Sequence, residues 1–185
     1  MTKGVCIIEC VCEDDPGSEG KVLKEIFNLM QVKSKLIRVK SIKQLLKALT
    51  QTEMTHVHIA THGAVTKKKR FAGWWTHDGE GSHAKLRESS IALKGTTIVS
   101  TACQSGSRSF ARLLTKELGC KNYIAPTGSP SFYNAALFAH IYYHKLFKTK
   151  KSVQKAFDSY AGRYRNPHGF TLFKSSSKSP KKKKH

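Results

Sequence analysis

Two apolar runs of the sequence are each followed closely by a residue of a type that is used in covalent catalysis. Residues 58–63 read His-Ile-Ala-Thr-His-Gly, and residues 98–106 read Ile-Val-Ser-Thr-Ala-Cys-Gln-Ser-Gly. In a parallel sheet the strands are buried, and the side chains at their carboxyl ends face a crevice. One run therefore presents His62 and the other Cys103, the two partners that a thiol nucleophile requires. The sequence predicts a cysteine hydrolase and, among hydrolases, a protease.

This chemistry explains why these residue types stand together. A cysteine with an ordinary pKa of about 8.5 is mostly protonated at neutral pH, so an imidazole is needed to take the thiol proton. The same imidazole later protonates the departing amine. Gly63 has no side chain to block a substrate carbonyl, and its N–H is predicted to form an oxyanion hole with that of Cys103. His77 and His83 are weaker candidates for the base, because neither ends a predicted buried strand.

The two motifs resemble the His-Gly and Ala-Cys motifs of the caspase-like cysteine proteases of clan CD. That superfamily includes caspases, separase and the bacterial CHAT-domain proteases. Residues 98–106 and 123–128 are most similar to the CHAT type, and the resemblance extends over about residues 3 to 161. It implies a regulated endopeptidase of bacterial antiviral defence that acts on a protein substrate. It also implies activation by a partner protein or a small nucleotide signal.

The chain departs from caspases after the cysteine. Caspases have arginine there and a long cleavable linker beyond, whereas this chain has Gln104 and Ser105 and only residues 105–109 before the next predicted helix. Activation by cleavage of that linker is therefore not expected, and the activity must be controlled in another way.

Apolar periodicity predicts alternating strands and helices. Strands are predicted at 4–11, 35–39, 55–61, 96–101 and 122–125, and helices begin near Ser18, Ser41, Arg108, Ser131 and Ser152. The pattern specifies an α/β protein, a three-layer αβα sandwich with a mainly parallel sheet, which is the caspase-like fold. We assign residues 1–165 to one protease domain. Residues 166–185 form a basic tail that is predicted to be disordered.

Two further groups of residues are candidates for substrate binding. Residues 64–94 contain Trp74 and Trp75 ahead of an Asp-Gly pair, which indicates a hairpin beside the site whose tryptophans line a groove or pack the hairpin. Caspases place an arginine after the first strand to bind the substrate's aspartate, and the similar position here holds Asp14 and Asp15. Carboxylates at that position favour arginine or lysine before the cut. Alternatively, these acids cap the helix that begins near Ser18.

The charge balance suggests an anionic partner. The chain has 33 Lys and Arg against 12 Asp and Glu, a formal net charge of +21. Basic clusters at 67–70, at 145–155 and in the tail predict non-specific contact with nucleic acid, or simply a solvated surface. The alternative function is therefore a non-catalytic caspase-fold module that binds nucleic acid or a nucleotide signal.

The cysteines and the hydropathy set the remaining expectations. The five cysteines are an odd set, which favours reduced thiols and a cytoplasmic protein. Cys6, Cys10 and Cys12 lie on or near the first predicted strand, without a second pair of ligands at zinc spacing, so no metal site and no cofactor is predicted. No apolar run is long enough to span a membrane, and no membrane contact is expected.

Overall fold

The described part of the chain contains nine strands and six helices. The computed structural model describes residues 1–68, 70–89 and 91–175. The strands are β1 (Thr2–Glu9), β2 (Ser34–Arg38), β3 (Met54–Ala60), β4 (Gly63–Val65), β5 (Phe71–Thr76), β6 (Gly79–Ser82), β7 (Thr97–Ser100), β8 (Asn122–Pro126) and β9 (Phe170–Lys174). The helices are α1 (Glu19–Leu29), α2 (Ile42–Gln51), α3 (His83–Glu88), α4 (Arg108–Arg112), α5 (Phe132–Tyr143) and α6 (Val153–Tyr164). Helices α4 and α5 each continue as a π-helical segment, Leu113–Glu117 and His144–Lys148.

Six strands form one sheet in the order β2-β1-β3-β7-β8-β9. The pairs β1–β2, β1–β3, β3–β7 and β7–β8 are parallel, and only β9 joins antiparallel, beside β8. Buried parallel strands require apolar side chains on both faces. The strand β1 meets this requirement, because Val5 and Ile7 pack into one core cluster and Cys6 and Ile8 into the other.

The helices cover both faces of this sheet. Helices α1, α5 and α6 pack on the face of Val5 and Ile7, and α2 and α4 pack on the face of Cys6 and Ile8. Serine side chains cap the helices as the sequence predicted, with Ser18 accepting from the Lys21 N–H at 2.9 Å. The predicted three-layer α/β sandwich with a mainly parallel sheet is confirmed.

The predicted hairpin is present and has a third strand. Strands β4, β5 and β6 form a small antiparallel sheet, with β4 directly after His62. The Asp78 carboxylate accepts from Thr76 Oγ1 at 2.8 Å and from the Ile42 N–H at 2.9 Å. These bonds hold the pKa of Asp78 below its usual value and fasten the hairpin turn to the start of α2.

The predicted boundary of the C-terminal tail has to be corrected. Residues 166–185 were expected to be disordered, but β9 pairs with all of β8, from Asn122 with Lys174 to Pro126 with Phe170. Phe170 is 1% exposed and stacks on Phe138 at 3.8 Å between ring centroids. Burial of such a ring is the physical reason that this segment is ordered. The expectation for residues 176–185 lies outside the described part of the chain.

Within residues 1–68, 70–89 and 91–175, no helix has both the length and the apolar character needed to cross a bilayer.

Candidate active site

His62 and Cys103 lie at the same edge of the main sheet. β3 ends at Ala60 and β7 ends at Ser100, and the two strands are parallel neighbours, with Ile59 opposite Ser100. His62 follows the first strand by two residues, and Cys103 follows the second by three. Both residues line one pocket at the carboxyl ends of the strands. Parallel sheets of this kind hold ligands at that edge.

Gly63 brings the backbones of the two motifs into contact. A Cβ on Gly63 would meet the carbonyl oxygen of Cys103, and would lie 2.9 Å from its carbonyl carbon and 3.1 Å from its nitrogen. These distances are too short for any side chain, so only glycine permits the approach. The chain segment that carries His62 is thereby packed directly against the segment that carries Cys103.

The Asp15 carboxylate holds the ring of His62. Asp15 Oδ1 lies 2.8 Å from His62 Nε2, and Oδ2 accepts from the Cys12 N–H at 2.7 Å. The Asp15 side chain is 7% exposed, whereas that of His62 is 40% exposed. A carboxylate partner places the proton of a neutral imidazole on Nε2, which leaves Nδ1 as the acceptor. This arrangement leaves Nδ1 of a neutral His62 able to accept a proton.

Two aromatic rings flank His62. Trp75 and Phe132 lie edge-on to the imidazole, with centroids at 6.0 and 5.8 Å. The Trp75 N–H donates to the His62 carbonyl at 2.9 Å. These edge-on contacts, together with the bond to Asp15, favour the observed orientation of the imidazole.

The loop after Cys103 is held in a strained conformation. Gln104 has φ of 58°, and the N–H groups of Gln104, Ser105 and Gly106 are all bonded, to Gly128 O, Ala102 O and Pro126 O. Ser105 is buried, and its hydroxyl donates to Ala102 O at 2.7 Å. Left-handed backbone at a residue other than glycine is unfavourable and is often found at functional sites.

The N–H groups of Gly63 and Cys103 do not take part in the loop hydrogen bonds just described. Gly63 pairs with Trp74 on β5, but the bond from the Trp75 N–H to the His62 carbonyl makes Gly63 a non-hydrogen-bonded position of the hairpin. Its N–H therefore points away from β5. Among the described residues, none accepts a hydrogen bond from the Cys103 N–H.

Acidic side chains line the pocket beside the two motifs. The lining includes Glu9, Asp15 and Glu19, together with Pro130 and Phe132. Glu9 accepts from the Gly20 N–H at 2.6 Å, and Glu19 lies 2.9 Å from His58 Nε2. Sequence reasoning missed both glutamates. Glu9 ends β1, so the rule of strand ends that identified His62 and Cys103 also applies to it.

The other residues predicted to bind substrate are placed differently. Asp14 is exposed and does not line the pocket. Trp74 does not line a groove, because it is fully buried, donates from Nε1 to Ser100 Oγ at 3.0 Å and packs on Phe110. Trp75 is half-buried beside His62. Of the two tryptophans, therefore, one packs the hairpin onto the core and the other borders the site.

The competing thiols and bases fit catalysis poorly. Burial raises the pKa of Cys10 to about 11. Burial and the neighbouring carboxylates Asp15 and Asp14 raise the pKa of Cys12. Both thiols are therefore weaker sources of thiolate than an ordinary cysteine. His77 is exposed and lies 3.2 Å from the Val11 carbonyl, and neither His77 nor His83 lines the pocket.

Cys12, Asp15 and His62 form a close group that the sequence did not reveal. Their sulfur, oxygen and nitrogen atoms all lie within 4.8 Å of one another. We call these residues the three-residue cluster.

Comparison with solved structures shows the fold. The chain superposes on separase in the separase–securin complex of Saccharomyces cerevisiae with a TM-score of 0.61 and 16% sequence identity. The match covers 93% of this chain and 12% of that one, so this chain spans a small part of the length of separase. No protein-family model matches the chain. No curated protein has a significantly similar sequence. The fold is therefore caspase-like, which agrees with the six-stranded, mainly parallel sheet.

Proposed function

We propose that this protein is a cysteine endopeptidase in which Cys103 is the nucleophile and His62 the general base. The observation that carries the proposal is the placement of both residues on one pocket, with Gly63 packed against Cys103 and His62 held by Asp15. A caspase-like fold supports the proposal, because it accounts for a histidine and a cysteine at adjacent strand ends.

The reaction follows from these positions. His62 Nδ1 accepts the proton of the Cys103 thiol as Sγ bonds to the scissile carbonyl carbon. The carbonyl oxygen becomes an oxyanion, which the N–H groups of Gly63 and Cys103 stabilise. The C–N bond then breaks, and His62 gives its proton to the departing amine. Water, deprotonated by His62, hydrolyses the thioester and regenerates the thiol.

We further propose a preference for arginine or lysine before the cut. Three of the 12 acidic residues of the chain, Glu9, Asp15 and Glu19, line this one pocket. Carboxylates there attract a guanidinium or ammonium group and repel an aspartate. This revises the residues expected to read the substrate, because Asp14 is exposed and does not line the pocket, whereas Glu9 and Glu19 do.

Control by another molecule is part of the proposal. The matched separase structure is a complex with a second protein, securin, which supports regulation of this chain by a protein partner. Activation by a small nucleotide signal and a role in bacterial antiviral defence remain predictions from the sequence resemblance.

A peptide-library cleavage assay tests the proposal. The wild-type chain should cleave, and both Cys103→Ala and His62→Ala should lose activity by several orders of magnitude, since each removes part of one nucleophile–base unit. A fluorogenic panel that varies only the residue before the cut should show the fastest turnover for arginine or lysine. Activity retained by Cys103→Ala would contradict the proposal. A peptidyl electrophile that fails to label wild-type Cys103 would favour the binding module instead.

A further inference from the structure

The three-residue cluster combines a sulfur, an oxygen and a nitrogen ligand, a set that suits zinc better than calcium or magnesium. It offers a thiol from Cys12, a carboxylate from Asp15 and an imidazole from His62, with the ligand atoms within 4.8 Å of one another. In a tetrahedral zinc site the ligand atoms lie about 2.0 to 2.3 Å from the metal, and therefore roughly 3 to 4 Å apart. Calcium and magnesium take oxygen ligands, whereas sulfur with imidazole selects zinc and its neighbours in the first transition row.

Separate hydrogen bonds and packing already hold each ligand in place. The Cys12 N–H donates to Asp15 Oδ2 at 2.7 Å, and the Asp15 N–H donates to the Cys12 carbonyl at 3.3 Å. These two bonds close the loop and keep its thiol and its carboxylate together. His62 is held from the other side by Trp75 and Phe132. The loop and the ring therefore already lie close together, and the Asp15 oxygen and His62 Nε2, now 2.8 Å apart in a hydrogen bond, need to separate only slightly to reach the spacing of zinc ligands.

The ligands are also accessible from solvent. Cys12 is partly exposed, and the His62 side chain is 40% exposed. Three protein ligands leave the fourth position of a zinc ion to water, as in zinc sites that remain open.

From this geometry we propose that Cys12, Asp15 and His62 bind Zn²⁺ and that the bound metal inhibits the peptidase. The inhibitory part rests on the proposed function of His62. Zinc on Nε2 obliges a neutral imidazole to carry its proton on Nδ1, and Nδ1 is the atom that must accept the Cys103 proton. The metal also takes the Asp15 carboxylate away from His62. The Cys12 thiol releases its proton to solvent when it binds.

Metal binding is measured first without relying on activity. In Cys103→Ala, which keeps all three ligands, Zn²⁺ should compete with a chromophoric chelator, and Co²⁺ should give a thiolate-to-cobalt absorption band. Cys103→Ala/Cys12→Ser should lose the band and bind Zn²⁺ at least about tenfold more weakly, since removal of even a supporting group commonly costs that much. Cys103→Ala/Glu13→Gln is the matched control, because Glu13 is an exposed carboxylate of the same loop outside the cluster.

Inhibition is then measured with the active chain. Free Zn²⁺ set by a metal buffer should lower peptide cleavage, and EDTA should restore it. In Cys12→Ser, with each rate normalised to its own metal-free value, half-inhibition should require at least about tenfold more zinc.

Several outcomes decide between the proposals. Absence of the cobalt band in Cys103→Ala would overturn the site, and so would equal zinc affinity with and without Cys12. Stimulation by zinc, or unchanged inhibition in Cys12→Ser, would overturn the inhibitory role. Zinc binding that depends on Cys12, in a chain that cleaves no peptide, would support the metal site. It would contradict only the proposed protease function.

Discussion

The Asp15 carboxylate contacts the His62 ring and also closes its own loop. One oxygen lies 2.8 Å from His62 Nε2, and the other accepts from the Cys12 N–H at 2.7 Å. We expect Asp15→Asn to lower kcat by on the order of tenfold to a hundredfold, because an amide no longer fixes the tautomer and orientation of the imidazole. Steady-state kinetics on one fluorogenic peptide measures the effect.

The matched control separates orientation from charge. Glu13→Gln removes the same charge from the same loop, but Glu13 is exposed and lies outside the pocket lining. If Asp15 positions the base, Asp15→Asn lowers kcat with little change in KM, whereas Glu13→Gln leaves kcat unchanged. Equal losses of kcat in the two variants would mean that Asp15 acts only through the total negative charge of its loop.

His56 gives the fold a pH dependence of its own. It is 9% exposed, and its burial, helped by the nearby Lys3 ammonium, lowers its pKa to about 4. The unfolded chain binds a proton below about pH 6.5, and the folded chain does not do so until about pH 4. We therefore expect the free energy of unfolding to fall as the pH drops through this window, by up to about 3 kcal/mol.

Urea unfolding at a series of pH values checks this expectation. His56→Gln should be less sensitive to acid than the wild type over the same window, whatever its stability at neutral pH. Burial also lowers the pKa of His83, so a smaller dependence of the same sign should remain. If the free energy of unfolding fell equally with pH in the two proteins, His56 would be excluded as the source of the acid sensitivity.

Among individual residues, the sequence predicted the two residues that we propose as the catalytic pair, but it did not predict the side chains that contact them. His62 and Cys103 each follow an apolar run, and that local pattern is visible in one segment of chain. The contact of Asp15 with His62 joins residues 47 positions apart, and nothing in either segment encodes it. The same holds for Phe132, which reaches His62 only because α5 begins beside the pocket.

At the scale of the elements, β9 completes the core on the face of α5 and α6. Phe170 is 1% exposed and contacts Phe138 and Tyr160 at 3.8 and 5.9 Å between ring centroids. Phe170→Ala should therefore destabilise the protein by about 3 to 5 kcal/mol, as other buried phenylalanines do. A change within about 0.5 kcal/mol would instead be typical of a residue in a tail.

Chemical denaturation of the variant measures the cost of losing Phe170. Tyr133→Ala serves as the aromatic control, because Tyr133 is 73% exposed and its loss should have little effect on stability. If both variants unfolded at similar denaturant concentrations, β9 would contribute little to the stability of the folded domain.

Most elements were predictable because they are encoded by local patterns. The parallel strands are apolar, helices α1 and α2 are amphipathic, and serines mark helix starts such as Ser18 and Ser131. The antiparallel β9 was not predicted, because Thr171 and Lys174 interrupt its apolar character within a basic segment. Its order depends on packing against Phe138 and on pairing with β8, which are tertiary effects.

At the scale of the whole molecule, a strongly basic chain gathers several carboxylates at one pocket. The chain carries a formal net charge of +21, yet three of its 12 acidic residues line the pocket of Cys103. Composition gives the total charge and not this arrangement, which depends on how β1 and α1 meet at the pocket. A cationic segment of a protein substrate is therefore expected to prefer the pocket, and a polyanion the outer surface.

The segment where α5 ends and α6 begins is the described surface on which we expect nucleic acid to bind. Its exposed lysines are Lys148, Lys150, Lys151 and Lys155. Affinity for a single-stranded oligonucleotide should fall steeply with salt, with a slope of about −0.7 for each phosphate that the protein neutralises. Changing Lys148, Lys151 and Lys155 together to Gln should weaken binding and make the slope shallower by roughly 0.7 for each phosphate that is no longer neutralised.

Fluorescence anisotropy over a range of salt concentrations provides the measurement. The control variant changes Lys21, Lys43 and Lys47 to Gln, since these exposed lysines of α1 and α2 carry the same charge on another part of the surface. A local site predicts a larger decrease in slope for the first variant than for the control. Equal decreases would mean that the net charge alone attracts the polyanion, because long-range attraction depends on total charge and not on which lysines supply it.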